Sequence, residues 1–156
     1  EGRDAGWCGV NRHDFRDDGD APVDAYEVVE RYWPYDGPYD AERTAAAAAM
    51  VGRLVRYLNN ATTKPDALPY APVGGSVVGS LHAAVAGLEQ LTRQLARFAA
   101  VQAQDPSVYD DRGDRPGAAT ALELAAALDA CLPAVVELAE RLARARRLSY
   151  HLGNDR

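Results

Sequence analysis

Two long apolar stripes in the second half of the chain constrain the fold more than any other feature. In each stripe an apolar or small residue recurs at alternating steps of three and four, which puts one residue per turn on a single helix face. Such a face must pack against another helix, so the stripes predict a hairpin of two long helices. The first stripe is Val78, Leu81, Val85, Leu88, Thr92, Leu95 and Ala99, and the second is Ala121, Leu124, Leu128, Cys131, Val135, Leu138, Leu142, Ala145, Ser149 and Leu152.

Capping residues, prolines and glycines predict the helix ends. Asp24 with Glu27 resembles a capping box before a short helix, and Asp40 caps the next helix. Pro133 predicts a kink inside the last helix. The helices expected are about 25–33, 41–59, 76–105 and 117–152.

These elements predict an all-α fold, an antiparallel helical bundle of three long helices plus a short N-terminal helix. Residues 1–39 form an irregular acidic arm with that short helix and an aromatic turn, and residues 40–156 form the bundle domain. Within the arm, residues 1–23 carry too little apolar surface to fold alone. We expect Trp7, Val10 and Phe15 to anchor that segment along the bundle or a neighbouring subunit.

A second apolar surface favours self-association. Gly75, Gly79, Ala83 and Gly87 form a ridge of small residues opposite the first stripe, and residues 118–136 are apolar nearly all round. A helix that is apolar all round needs neighbours all round, and one three-helix monomer supplies few. We therefore expect a homo-oligomer, most simply a twofold dimer, with the ridge as a packing surface. The alternative is that the thirty alanines reflect GC-rich coding and tolerate exposure.

The amino-acid composition limits the class of protein and its cellular location. The formal charge of -6 argues against a chain coated in nucleic acid or lying on an anionic membrane. Two cysteines make no disulfide framework, and the sequence shows neither a long apolar run nor a signal peptide. A cytoplasmic protein without membrane contact is the expectation.

Part of the chain resembles a family of small alanine-rich helical actinomycete proteins. The resemblance rests on Leu54-Val55-Arg56-Tyr57-Leu58-Asn59-Asn60-Ala61-Thr62, then Val78-Gly79-Ser80-Leu81, Leu88-Glu89-Gln90-Leu91 and Gln94-Leu95. It covers about residues 45–152 and excludes the first forty. The family has no assigned activity, so the resemblance implies a helical fold and no functional residue.

Each candidate catalytic or cofactor-binding motif lacks a residue or a structural support that its chemistry requires. The glycines of residues 74–81 have phosphate-loop spacing, but Ser80 stands where lysine is required. Cys8 and His13, with Asp14, are the one conceivable centre for zinc or thiol chemistry, and nothing evident holds them in place. We expect no enzyme, no cofactor, no catalytic residue and no metal site.

Two features remain as contact surfaces. Trp33, Tyr35 and Tyr39 flank Pro34 and Pro38 and could either bind a protein partner or cap the bundle end. Arg146 and Arg147 could meet phosphates, although nucleic acid is the less favoured reading because cations also suit a helix C-terminus. The function that the sequence favours is a non-enzymatic oligomeric helical interaction or assembly protein. The alternative is a DNA-associated accessory or regulatory protein that uses the C-terminal arginines.

Overall fold

The computed structural model describes residues 23–154, and this part of the chain is all-α. It contains four α-helices and one short 3-10 helix, and no strand occurs among the described residues. The elements are α1 (Ala25–Tyr32), α2 (Ala41–Ala61), a 3-10 turn (Pro65–Ala67), α3 (Ala71–Gln102) and α4 (Gly117–Ser149). The predicted fold class is confirmed at this level.

The chain divides into two compact units, Glu1–Asn59 and Asn60–Arg156. The first holds α1 and nearly all of α2, and the second holds the α3–α4 hairpin. The sequence placed its domain boundary between residues 39 and 40, ahead of α2. The anchors Trp7, Val10 and Phe15 lie outside the described residues.

Both predicted caps of the first unit are confirmed. The Asp24 carboxylate accepts hydrogen bonds from the backbone N–H groups of Tyr26, at 2.8 Å, and Glu27, at 3.4 Å. Asp40 accepts from the N–H of Arg43 at 2.7 Å. Each carboxylate thus satisfies donors that the first helical turn leaves without a partner.

Helix α3 begins five residues before the predicted start at Ser76. Pro72 lies in its first turn, where a missing N–H costs nothing, and the glycine pair that predicted a loop is helical. The N–H of Ala71 donates to the side chain of Asn154 at 2.7 Å. A contact from the far end of the chain therefore stabilises the start of α3, and local sequence could not indicate it.

Helices α3 and α4 pack side by side and run antiparallel. At the open end of the hairpin, Gly75 of α3 meets Ser149 of α4, and Gly79 meets Arg146. The loop 103–116 closes the other end, where the buried apolar residues of the described chain are all alanines. They are Ala96, Ala99, Ala121 and Ala125. Small side chains let the two backbones approach closely, so this core is thin.

Each predicted stripe splits in two. Every seventh residue, such as Val85, Thr92, Leu128 and Val135, lies half-buried on the line of contact between the helices. The alternate members of both stripes are exposed, and Cys131, predicted as a small core residue, is exposed as well. The error has a geometric cause: the contact line turns toward Ala96 and Ala125 and away from the bulkier neighbours Leu95 and Leu124.

Helix α4 ends at Ser149, three residues before the predicted end at Leu152. The next two residues continue in tighter turns, with His151 N–H donating to Leu148 and Leu152 N–H donating to Ser149. Such turns satisfy carbonyl groups that a helix end leaves free. Pro133 lies inside α4, as predicted.

Candidate functional site

A polar cluster closes the hairpin where the loop meets α4. Its centre is Asp110, whose side chain is only 2% exposed. Arg112 donates to this carboxylate from its backbone N–H at 3.0 Å and from its guanidinium at 2.9 and 2.5 Å. Arg115 adds a bond of 3.3 Å, and the hydroxyl of Thr120 donates to the same carboxylate. Both carboxylate oxygens are therefore engaged by donors.

The guanidinium of Arg115 bridges two acids, since it also bonds Glu123 of α4 at 2.5 Å. Hydrogen bonds from Arg112 and then Thr120 hold the pKa of Asp110 far below its usual range. The hydrogen bond from Arg115 lowers the pKa of Glu123 in the same way. The four charged groups bond one another, so the arrangement fixes the loop. Both carboxylates have a lowered pKa and are therefore weak bases for proton transfer.

Gly117 lets the loop reach this position. A Cβ at Gly117 would lie 2.6 Å from the Cα of Tyr109, a distance that real Cβ atoms do not adopt. The backbone of 108–109 thus rests directly on the first turn of α4. A hollow of about 430 Å³ opens beside this contact, lined partly by Asp105, Tyr109 and Arg115.

The structure brings two predicted sites together at the open end of the hairpin. Gly79 and Ala83, predicted to pack oligomers, line a hollow of about 590 Å³ with Arg146, which was predicted to bind phosphates. Arg146 is already held there, because its Nε donates to the hydroxyl of Tyr150 at 2.7 Å. Its guanidinium also lies 5.5 Å from the centre of that ring, within range of a cation–π contact.

The small-residue ridge is not uniform. A Cβ at Gly75 would touch the Ser149 hydroxyl at 3.2 Å, so that glycine serves close packing within the chain. A Cβ at Gly79 would lie 3.8 Å from Arg146, whereas Gly87 has open space around it. Only the far end of the ridge, at Gly87, is therefore free of contacts within the hairpin.

The spacing of four residues predicts two ion pairs near the C-terminus, Glu137 with Arg141 and Glu140 with Arg144, and one of them is present. Arg141 bonds Glu137 at 2.5 Å, as its spacing predicts. No ion pair joins Glu140 to Arg144 in the described part of the chain, and Arg147 is likewise exposed without a carboxylate partner there. Three cationic side chains of α4, those of Arg144, Arg146 and Arg147, therefore have no carboxylate partner among the described residues.

The aromatic turn in the first unit divides into an anchor and two exposed rings. Trp33 is half-buried, and its indole N–H donates to the carbonyl of Arg43 at 2.9 Å. Tyr35 and Tyr39 are 87% and 80% exposed. The hydroxyl of Tyr39 donates to the carbonyl of Tyr35, which ties the two ends of the turn together. The turn is a braced loop that presents two rings to solvent.

The described residues give no support to metal or thiol chemistry. Among residues 23–154, no three His, Cys, Asp or Glu side chains gather closely enough to hold a metal ion. Cys8, His13 and Asp14 lie outside this range. Cys131 donates weakly to the carbonyl of Ala127 at 3.3 Å.

Helices α3 and α4 are each long and apolar enough to cross a membrane, by length and composition alone. No membrane-spanning segment is predicted from the sequence, so this finding differs from the prediction. Core helices of soluble proteins also qualify, but they are mostly buried, whereas only 0% and 6% of the most apolar windows of α3 and α4 are buried. Within the described residues, large apolar side chains of both helices are therefore left exposed.

Comparisons of the chain with protein-family models, with curated protein sequences and with solved structures found no match. The resemblance to small helical actinomycete proteins stays a prediction.

Sequence reasoning missed the Asp110 cluster because it treated residues 105–116 as a loop without further content. One local signal was available. Asp110 and Arg112 have the spacing of an aspartate that accepts from the backbone two residues on. The partners Thr120 and Glu123 lie beyond the loop, and only the folded chain brings them into place.

Proposed function

We propose that this protein is a non-enzymatic helical interaction or assembly protein that works as an oligomer. The observation that carries the proposal is the exposure of large apolar side chains along all three long helices. On α2, Met50, Val51, Leu54 and Val55 are 39–58% exposed. Soluble monomers rarely expose contiguous apolar patches of this size, and such patches mark contact surfaces.

The proposed assembly is a bundle in which α2, α3 and α4 bury these faces against helices of the same or another copy. Water-soluble association explains the exposed apolar surface better than a lipid bilayer does. The apolar part of α4 contains Glu123 and Asp129. An acidic side chain near the centre of a bilayer costs about 2.5–3.5 kcal/mol. We propose a cytoplasmic protein for the same reason.

The braced aromatic turn is the proposed contact for a different protein. Tyr35 and Tyr39 offer rigid rings with little rotamer entropy to lose, and Trp33 holds the turn in place. Recognition of a partner through rings of this kind fits an assembly role.

Sedimentation equilibrium of the full chain at micromolar concentration tests the oligomer. We expect a mass at least twice 16.8 kDa. The double variant Tyr35→Ser, Tyr39→Ser is the control, because its changes lie outside the hairpin. It should keep the oligomer mass and lose only proteins that co-purify with the native chain. A clean monomer for the natural chain would end the proposal.

A second candidate function is that of a DNA-associated accessory protein. The observation in its favour is that Arg144 and Arg147 lack carboxylate partners in the described residues. Together with Arg146 they form a cationic end on α4, where contacts with phosphates would release counterions. The net charge of -6 weighs against strong binding.

Electrophoretic mobility shifts over a salt series test the DNA hypothesis. Binding through these arginines should fall steeply with salt and be lost in Arg146→Glu with Arg147→Glu. Arg53→Glu with Arg56→Glu changes the net charge equally on another helix and serves as the matched control. If both pairs weaken binding alike, or no shift appears at low salt, the C-terminal arginines are not a DNA site.

A further inference from the structure

Large apolar side chains lie exposed along one side of the α3–α4 hairpin. Leu81, Leu88 and Leu95 follow at seven-residue spacing beside the line along which α3 contacts α4. Leu124 and Leu138 hold the same offset from the contact line of α4. Equal offsets on two antiparallel helices point to the same side of the pair. We name this side, between residues 81 and 98 of α3 and residues 124 and 138 of α4, the leucine face.

The leucine face carries almost no charge. Its seven large apolar residues are 37–59% exposed, the most exposed being Phe98. Both helices are wholly described, and their charged residues fall on the contact line or on the opposite side. The exceptions at the edges of the face are Arg141, which is neutralised by Glu137, and Glu123, which is neutralised by Arg115. The hairpin is therefore amphipathic as a unit, with one side that favours burial.

The two helices contribute rows of different size to this face. Gly79 of α3 contacts Arg146 of α4, and the two helices run antiparallel. A step forward along α3 therefore corresponds to an equal step back along α4, which places residues 88–98 of α3 beside residues 127–137 of α4. Over this length α3 presents Leu88, Leu91, Leu95 and Phe98, which form a bulky row. Across from them α4 presents a small row, Ala127, Cys131 and Ala134. A bulky row needs a small row opposite it, so the face is complementary to itself.

We propose that the leucine face is the docking surface for a second copy of this chain. With the twofold axis parallel to the helices, the bulky row of each α3 lies on the small row of the partner's α4. Leu91 and Leu95 then fill the space above Cys131 and Ala134 of the other copy. This inference rests on the oligomer proposed above and names its contact surface.

The area of the face fits a dimer. Seven half-exposed large residues and three small ones present on the order of 600–800 Å² of apolar surface, close to the ~800 Å² that each partner of a stable complex buries. The small-residue ridge is the weaker candidate for this contact. Its near end already packs within the chain at Gly75, and around Gly87 it exposes little large apolar surface.

Matched variants of the full chain test the proposal by sedimentation equilibrium. Leu95→Glu places a charge in the bulky row, and Gln90→Glu places the same charge on the side of α3 that faces away from it. Ala134→Leu overfills the small row, and Ala126→Leu adds the same group on the side of α4 that faces away from it. Both alanines are exposed, so neither change should disturb the hairpin. We expect Leu95→Glu and Ala134→Leu to raise the dimer dissociation constant at least ~10-fold. The controls should leave it within about twofold.

The outcomes separate this inference from the proposed function. An oligomer that all four variants leave unchanged would overturn the leucine face and keep the oligomer. A monomeric natural chain would overturn both. If that monomer floats with phospholipid vesicles, and Leu95→Glu abolishes flotation, the face belongs to a lipid surface. Far-UV circular dichroism identifies a variant that unfolds, in which case the Ala134→Leu and Ala126→Leu pair decides.

Discussion

Replacing Gly117 by alanine is expected to lower the free energy of unfolding by about 2 kcal/mol or more. The added Cβ would lie 2.6 Å from the Cα of Tyr109 and from the carbonyl carbon of Val108. Both are backbone atoms, so the loop itself must move away from α4. That movement also pulls Asp110 from its donors, since Asp110 follows directly in the chain. Urea unfolding at one fixed protein concentration, followed by circular dichroism, measures the effect.

The control is Gly87→Ala in the middle of α3. A Cβ at Gly87 meets nothing within 4 Å, and alanine favours a helix over glycine by up to about 1 kcal/mol. This variant should be as stable as the natural chain or more so. If Gly117→Ala behaves like Gly87→Ala, the loop does not rest on α4 as described.

The helices were predictable from the sequence because their signals are local. Asp24 and Asp40 cap the helices that they were expected to cap, and the alternating stripes identify both long helices. Ends that depend on distant contacts were not predictable. The start of α3 relies on Asn154, which is 83 residues away.

The orientation of the helices was harder to predict than their existence. The two rows of a stripe that alternates steps of three and four lie about 60° apart on the helix, so the contact line can lean to either side of the stripe. Here it leans toward Ala96 and Ala125, and so leaves Leu95 and Leu124 exposed. Hydrophobicity alone predicts that the bulky residues lie on the contact line. In the structure alanines occupy the contact line instead, because their small side chains let the two backbones approach closely.

The candidate surfaces were predicted in part. Trp33, Tyr35 and Tyr39 form one braced turn, as expected from their spacing with proline and glycine. The meeting of Gly79 with Arg146 was not foreseen, because they are far apart in sequence and were assigned to different sites. Sequence reasoning finds a residue's type and face, whereas pairing across the hairpin needs the register of the two helices.

Replacing Asp110 by asparagine is expected to destabilise the hairpin strongly at neutral pH. The carboxylate holds Arg112, Arg115 and Thr120 together, and an amide cannot match its charge or its number of acceptors. Arg112 would lose its ion-pair partner, and Arg115 would keep only Glu123. The urea midpoint at pH 7 should therefore fall well below that of the natural chain.

The same substitution should change how stability depends on pH. Hydrogen bonds from Arg112 and Thr120 lower the pKa of Asp110 in the folded chain, so folding favours the ionised carboxylate. A group with a lowered folded pKa stabilises fully above its ordinary pKa of 3.8, and this stabilisation is lost as the pH falls through the folded pKa. The difference in unfolding free energy between the natural chain and Asp110→Asn should thus be constant above about pH 5 and shrink below about pH 4. Asp111→Asn is the matched control, because Asp111 is exposed and no described residue forms an ion pair with it. Asp105, whose pKa is also lowered, titrates in every variant and cancels in the comparison. Glu123 shares Arg115 with Asp110, so its contribution to the pH dependence belongs to the same cluster. A difference that stays the same from pH 7 to pH 3 would show that Asp110 acts through its shape and not through its charge.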